Sequence, residues 1–307
     1  MLVDFPDYSL ANQWQIKTIE KSAPIKVHRT NELQLVKCYA LHISWEDYLL
    51  KNCGTAGDAI TIISKFENYL KKQSNISKII WTVHNLRSHN EINREAEKRL
   101  REIIMEHAST INLMSLKHRF IIPEKHKNKI NIVPHYIDRN PLSNLDKRND
   151  ATYFRFGADR GRKDDDLYIN ILNDSRIKKF VSDKRLNIEV DDVDTVITKR
   201  RFTINEAEIY AQLSNFSTFY QKSNFNSGVL NFMIGKKLAV FHDKSTVKYM
   251  DLPLTFKKFC VNYETICKYE LAYLFEKISI DHDELDEFIE IRNPEYVSKL
   301  FWDGVYA

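Results

Sequence analysis

His84, Asn85 and His89 lie within a few residues of one another in the stretch Ile80 to Glu91, IWTVHNLRSHNE. The apolar run IIWTV before them reads as a buried strand, so His84 and Asn85 fall at its carboxyl end. Open α/β sheets place their ligands at that edge. Imidazoles and an amide there can bind phosphate or sugar hydroxyls, or move a proton. A histidine that caps the next helix or fills a buried turn would leave the same trace. A second group, Phe154 to Lys163 (FRFGADRGRK), sets Arg160, Arg162 and Lys163 in a turn after a strand that ends at Gly157. Guanidinium and ammonium groups before a helix start suit a diphosphate; a solvated basic turn reads alike. In a third, Tyr220 to Gly235 (YQKSNFNSGVLNFMIG), a strand ends at Tyr220 and Ser227-Gly228 opens a helix. The free backbone N–H groups of a helix start attract anions, although an ordinary strand–turn–helix connection has the same pattern.

The elements that would position these residues alternate. Leu35 to Ile43, Lys78 to Val83, Ile111 to Leu116 and Ile130 to Val133 are short, apolar and rich in β-branched residues, as buried strands are. Ala59 to Leu70 and Ile92 to His107 carry helical spacing. Asp138 to Asp150 is polar, turn-rich and aperiodic, and reads as a linker. Beyond it the alternation restarts. Thr152–Phe156, Leu186–Val190, Thr195–Ile197, Phe216–Tyr220 and Leu238–Phe241 read as strands. Asp164–Asn173, Asn205–Leu213 (capped by Thr203), Gly228–Ile234 and the acidic Asp281–Glu290 read as helices. Strands alternating with helices imply parallel sheets covered on both faces. The boundaries predict domains at 1–143 and 144–292, with a terminal helical segment at 293–307.

Composition narrows the class. A chain of 307 residues exceeds a usual single core, so two domains are expected. With 43% hydrophobic and 12% aromatic residues it is not disordered, and 7 Gly and 7 Pro exclude a fibrous protein. The overall charge of +4 divides unevenly: residues 1–150 hold 23 Lys+Arg against 17 Asp+Glu, and residues 151–307 hold 23 against 25. A basic domain beside a near-neutral one suits an anionic membrane or substrate. Cys38, Cys53, Cys260 and Cys267 have neither zinc spacing nor a disulfide framework and read as reduced thiols. Asp4 and Asp7 argue against a signal peptide, and no apolar run reaches a membrane span of roughly 20 residues. A cytoplasmic protein is expected, peripheral on the inner face of the membrane at most.

The joint order of the motifs resembles the bacterial polysaccharide glycosyltransferases of the glycosyltransferase B (GT-B) fold with a WT-x-HN-x-x-x-H signature. Trp81, Thr82, His84, Asn85 and His89 match it. Leu41 to Glu46 (LHISWE) resembles the family's strand end lHiHWpe, with Ser44 in place of the second histidine. Val133-Pro134-His135 resembles vPHg, with Tyr136 for glycine. Gly157, Arg160 and Lys163 resemble fG-x-x-R-x-x-Kg, and Ser227-Gly228 resembles sSG. The acidic residue common before that Ser-Gly is absent; Lys222, Asn224 and Asn226 fill the turn.

The resemblance implies two Rossmann-like domains facing each other across a cleft, with a C-terminal helix crossing back to the N-terminal domain. It implies metal-independent transfer of a sugar from a nucleotide donor, such as a UDP- or GDP-sugar, with no other cofactor. The acceptor it implies is a growing, lipid-linked surface polysaccharide: O-antigen, capsule or exopolysaccharide. Gly157, Arg160, Lys163, Tyr220, Asn226, Ser227 and Gly228 would hold the donor, with His84 across the cleft. His89 or Glu91 would contact the acceptor or act as base, and His42, Trp45 and Asn85 would bind the acceptor. A non-catalytic GT-B-like partner subunit and a sugar transferase acting on nucleic acid are the alternatives. No aromatic-basic interleaving supports nucleic acid.

Overall fold

The protein is described by a computed structural model, over residues 1–7, 14–85, 94–138, 151–155, 177–182, 194–197, 202–214, 216–219, 228–242, 248–260 and 280–307. It divides into two compact units, one of residues 1–136 with 294–307, the other of residues 137–293.

The first unit is built on a parallel sheet of β1 (Leu2–Phe5), β2 (Val27–Arg29), β3 (Ala40–Ile43), β4 (Lys78–Val83), β5 (Thr110–Leu113) and β6 (Ile130–Ile132), in the order β2-β1-β3-β4-β5-β6. The inner strands are buried on both faces because helices cover both, and each carries one buried polar residue: Asp4, His42, Thr82 and Asn112. Leu41, Ile43, Ile79, Trp81 and Val83 point to the side covered by α1 (Ala56–Gln73) and α2 (Arg94–His107). Thr55 and Asp58 form a capping box at the start of α1, and Ala59, Ile63, Phe66 and Leu70 make its buried stripe. Ala40 and Ile80 alternate to the opposite face with Leu2, under Trp14, Ile19, Val297, Phe301, Trp302 and Val305. The chain's last helix, Pro294–Tyr306, therefore covers the first unit's sheet. Its Trp302 indole donates to Ile19 O (2.8 Å), and its Leu300 and Gly304 carbonyls accept from Asn131 (3.2 Å) and Thr110 (3.1 Å). Proline at the first helical position loses no hydrogen bond there.

The second unit holds β7 (Ala151–Arg155), β8 (Ile177–Ser182), β9 (Asp194–Ile197), β10 (Phe216–Phe219) and β11 (Ala239–His242), all parallel, in the order β11-β10-β7-β8-β9. Its helices among the described residues are α3 (Ile204–Gln212), α4 (Gly228–Gly235), α5 (Leu254–Lys257) and α6 (His282–Glu290); the last helix, Pro294–Tyr306, is α7. Tyr153, Phe154, Leu230, Met233, Ile234, Val240, Phe256 and Leu285 share one core. Thr203 caps α3 as the sequence predicts, in a capping box with Glu206.

Some elements differ from expectation. Leu35–Tyr39 is not strand: the Gln73 side chain takes the Val36 N–H (3.2 Å) and C=O (2.7 Å), and the backbone joins its neighbours only from Tyr39, whose N–H donates to Met1 O (2.9 Å) and whose C=O accepts from Lys78 N (3.3 Å). Strands β1, β2 and β8 were not anticipated. β5 stops at Leu113, and Ser115 then caps a 3-10 turn, Leu116–Ile121. The expected linker beyond Asp138, the helix 164–173 and the strand 186–190 lie outside the described residues.

Candidate functional site

In the first sheet the strand order reverses between β1 and β3, the switch point where such sheets bind ligands at their carboxyl ends. Three segments meet there. Ser44 and Trp45 follow β3, and His84 and Asn85 follow β4. A π-helical turn, Gln15–Glu20, begins directly after Trp14 and brings it and Gln15 inward. Such turns recur at functional sites because the wider turn re-aims side chains.

The His84 ring is clamped by two indoles. Trp45 lies flat on it, 3.9 Å between centroids and 8° between planes, and Trp14 meets it edge-on at 4.5 Å. His84 is only 7% exposed, and its Nε2 is buried without a hydrogen-bond partner. Burial first, then the nearby His42 and His135 imidazoles, hold its pKa well below the ordinary imidazole value. The ring is therefore neutral near pH 7, with a nitrogen whose hydrogen-bonding capacity the protein leaves unused. Buried polar atoms are normally satisfied, and an exception at a sheet's ligand edge points to a ligand group.

His42 takes a different place from the one expected of it. It is 0% exposed, inside the sheet beneath Phe301, whose ring meets it edge-on at 5.0 Å. Both its ring nitrogens are engaged, Nδ1 with Asp4 Oδ1 (2.7 Å) and Nε2 with Thr82 Oγ1 (2.7 Å). The row continues outward: Asn112 Nδ2 donates to Thr82 Oγ1 (3.2 Å) and Asn131 Nδ2 to Asn112 Oδ1 (3.0 Å). Gln15 Nε2 (2.7 Å) and Ser44 Oγ (2.8 Å) complete the shell of Asp4. A buried carboxylate needs such donors. Here they run from β6 to β1 and fix the floor under Trp14 and His84.

Behind the site, Arg101 of α2 places Nη2 2.8 Å from Glu46 Oε1, 2.9 Å from Glu97 Oε1 and 3.0 Å from Asn85 O. Glu46 Oε2 also accepts from Trp81 Nε1 (3.3 Å). Burial raises the Glu46 pKa, against the lowering pull of Arg101.

In the second sheet the order reverses between β7 and β10, which pair directly (Phe216↔Tyr153, Ser217↔Phe154). Gly157, Arg160 and Lys163 follow β7 in the chain, and Tyr220, Asn226 and Ser227 follow β10. All six lie outside the described residues, as do His89 and Glu91. The two strands that precede the segments expected to hold the donor are thus neighbours at a switch point. Gly228 is exposed as the first residue of α4, whose first turn carries no acidic side chain to offset the helix dipole. Among the described residues, no group of three or more His, Cys, Asp or Glu side chains could hold a metal ion. No described helix is long and apolar enough to cross a membrane. Asp4, Trp14 and Arg101 are site residues that sequence reasoning missed. An acidic residue inside the apolar run LVDF was the available signal for Asp4; Trp14 and Arg101 had none.

No family model matches the chain, and no curated protein sequence matches it. Solved structures do. HepE of Anabaena, in complex with UDP, superposes with a TM-score of 0.62 at 9% identity, over 99% of this chain and 98% of that one. OtsA in its apo form gives 0.60 at 9% identity, over 87% and 73%. TarM gives 0.59 at 9% identity over 87% of this chain, which spans only 55% of TarM. Likeness at this identity is a statement about fold. With two parallel sheets, each with a switch point, and a last helix that belongs to the first unit, the chain has the GT-B fold.

Proposed function

We propose that this protein is a glycosyltransferase that moves a sugar from a nucleotide-sugar donor to a growing, lipid-linked bacterial surface polysaccharide. The observation that carries the reading is the neutral, unpartnered His84 Nε2, held between Trp14 and Trp45 at the ligand edge of a GT-B sheet. HepE is solved with UDP, the pneumococcal O-GlcNAc transferase GtfA with UDP and GlcNAc, and another neighbour is named a UDP-forming trehalose-phosphate synthase. These support a UDP-sugar donor.

Transfer needs a stabilised diphosphate leaving group and an oriented acceptor hydroxyl. In this reading Arg160, Lys163 and the α4 start at Ser227-Gly228 take the diphosphate charge, with Gly157, Tyr220 and Asn226 shaping that pocket and no metal required. His84 Nε2 hydrogen-bonds a sugar hydroxyl, Trp45 and Asn85 bind the acceptor, and His89 or Glu91 removes its proton. His42 acts from inside the sheet, through the Asp4 and Thr82 row. The excess of basic residues in 1–150 supports a membrane-borne acceptor that meets the N-terminal half of the chain.

A thermal-shift screen against UDP-, GDP-, CMP- and dTDP-sugars tests the donor assignment. At 100 times its dissociation constant a ligand adds about 2.7 kcal/mol to stability. Arg160→Ala with Lys163→Ala should abolish the shift. A shift as large as wild type's in that variant would show that the diphosphate binds elsewhere.

A further inference from the structure

Trp45 and His84 follow the paired strands β3 and β4, so whatever ties their two loops together bears on the flatness of their stack. Glu46 follows Trp45, and Asn85 follows His84. Both reach the same guanidinium nitrogen, Arg101 Nη2, at 2.8 Å and 3.0 Å. The arrangement is enclosed: the side chains of Arg101 and Glu46 are 14% and 6% exposed. Its far ends are anchored, since Glu97 on the same helix also meets Nη2 at 2.9 Å and Trp81 Nε1 holds the second Glu46 oxygen at 3.3 Å. A guanidinium directs rigid, planar donors, which lysine's rotating ammonium does not reproduce.

We propose that Arg101 is a positioning residue of the transfer site: by holding Glu46 and the Asn85 carbonyl together, it clips the two loops and keeps the Trp45 indole flat on the His84 imidazole. The inference rests on the reading of His84 as a substrate-contacting residue. It goes beyond that reading in assigning the geometry of His84 to a side chain that does not touch substrate. Loss of the clip should leave substrate able to bind and misalign the reacting groups. A misplacement of about 1 Å can slow a reaction by roughly 100-fold.

The test uses full-length protein labelled at histidine. Stacking on an indole moves the His84 ring protons upfield in the NMR spectrum, and this is read without ligand. In Arg101→Lys the upfield shift should collapse, kcat should fall about 100-fold, and KM for the donor should change by less than about 2-fold. Glu46→Gln leaves an acceptor for the guanidinium and should keep the stack. Breaking a buried pair can unfold a protein, whereas replacing both members with apolar groups of similar size is often tolerated. Arg101→Met with Glu46→Met, made with Glu97→Gln so that no buried carboxylate is left unpaired, therefore separates folding from clipping: folded, it should show the same loss of stack and of kcat. A folded Arg101→Lys or double-Met variant with wild-type shifts and wild-type kcat would overturn the proposal. A stack that loosens in these variants, in a protein that turns over no nucleotide sugar, would keep the clip and defeat the transferase reading.

Discussion

His84 is held neutral by burial, and this has a consequence for stability. Its folded pKa lies well below the ordinary 6.5, so the unfolded chain takes up the proton first as pH falls. Stability should then decline below about pH 6.5, at no more than about 1.4 kcal/mol per pH unit for this one proton. Glu46 acts in the opposite sense: its raised pKa contributes stability that is fully present below its ordinary 4.5 and is lost as pH rises through the folded value. Comparing His84→Phe with wild type isolates the histidine, because Glu46 is common to both. Thermal melts between about pH 6.5 and pH 5.5 should be flatter for the variant; equal slopes would mean that His84 titrates normally in the folded protein. That His84 ends a buried strand was legible in the sequence, because IIWTV is apolar and the next residues are polar. That it lies between two indoles was not, since Trp14 arrives through a π-helical turn that no local pattern announces. Asp4 was read only as an argument against a signal peptide, whereas the fold uses it to collect donors from Gln15, His42 and Ser44.

At the scale of elements, α7 is the piece on which the polar row depends. Its Phe301 covers His42, and its backbone receives the Asn131 end of the row. The close approach needs a glycine, because a Cβ on Gly304 would fall 2.1 Å from Asn131 Nδ2. Gly304→Ala should therefore push α7 off the sheet or displace Asn131, at a cost of about 1–3 kcal/mol. Chemical denaturation measures this, and hydrogen exchange should show the added protection loss in α7 and β6 rather than in the second unit. An unchanged midpoint would mean that the helix is not seated as described. Helices and central strands were readable from local pattern: α1 and α3 carry capping boxes, and β4 is buried throughout Ile79–Val83. Strands β2 and β8 escaped notice because VHR and IKKFVS hold little apolar pattern, and their pairing is set by neighbours distant in sequence. Leu35–Tyr39 looked like strand by composition, yet one glutamine side chain diverts it.

For the whole molecule, the chain divides into two compact units, and the last helix belongs to the first of them. The charge asymmetry follows that division: the first unit holds 21 Lys+Arg against 16 Asp+Glu, and the second holds 25 against 26. If that excess meets anionic lipid, co-sedimentation with vesicles should rise with anionic lipid content and fall as salt increases. Binding indifferent to both would remove the membrane from the account while leaving the transferase reading intact. The motifs ordered along the chain were visible in sequence because each was read at the end of an apolar strand. The sequence could not show that β7 and β10 are neighbours, which places the segments carrying Arg160 and Ser227 after adjacent strands. The central claim is that the chain transfers sugar from a nucleotide donor with His84 in contact with substrate. The most direct measurement is release of nucleoside diphosphate by purified protein given a nucleotide sugar that binds it and a lipid-linked oligosaccharide. The account predicts acceptor-dependent release that His84→Ala lowers by about 100-fold or more while donor binding persists. No release from any bound donor, or full activity in His84→Ala, would contradict it.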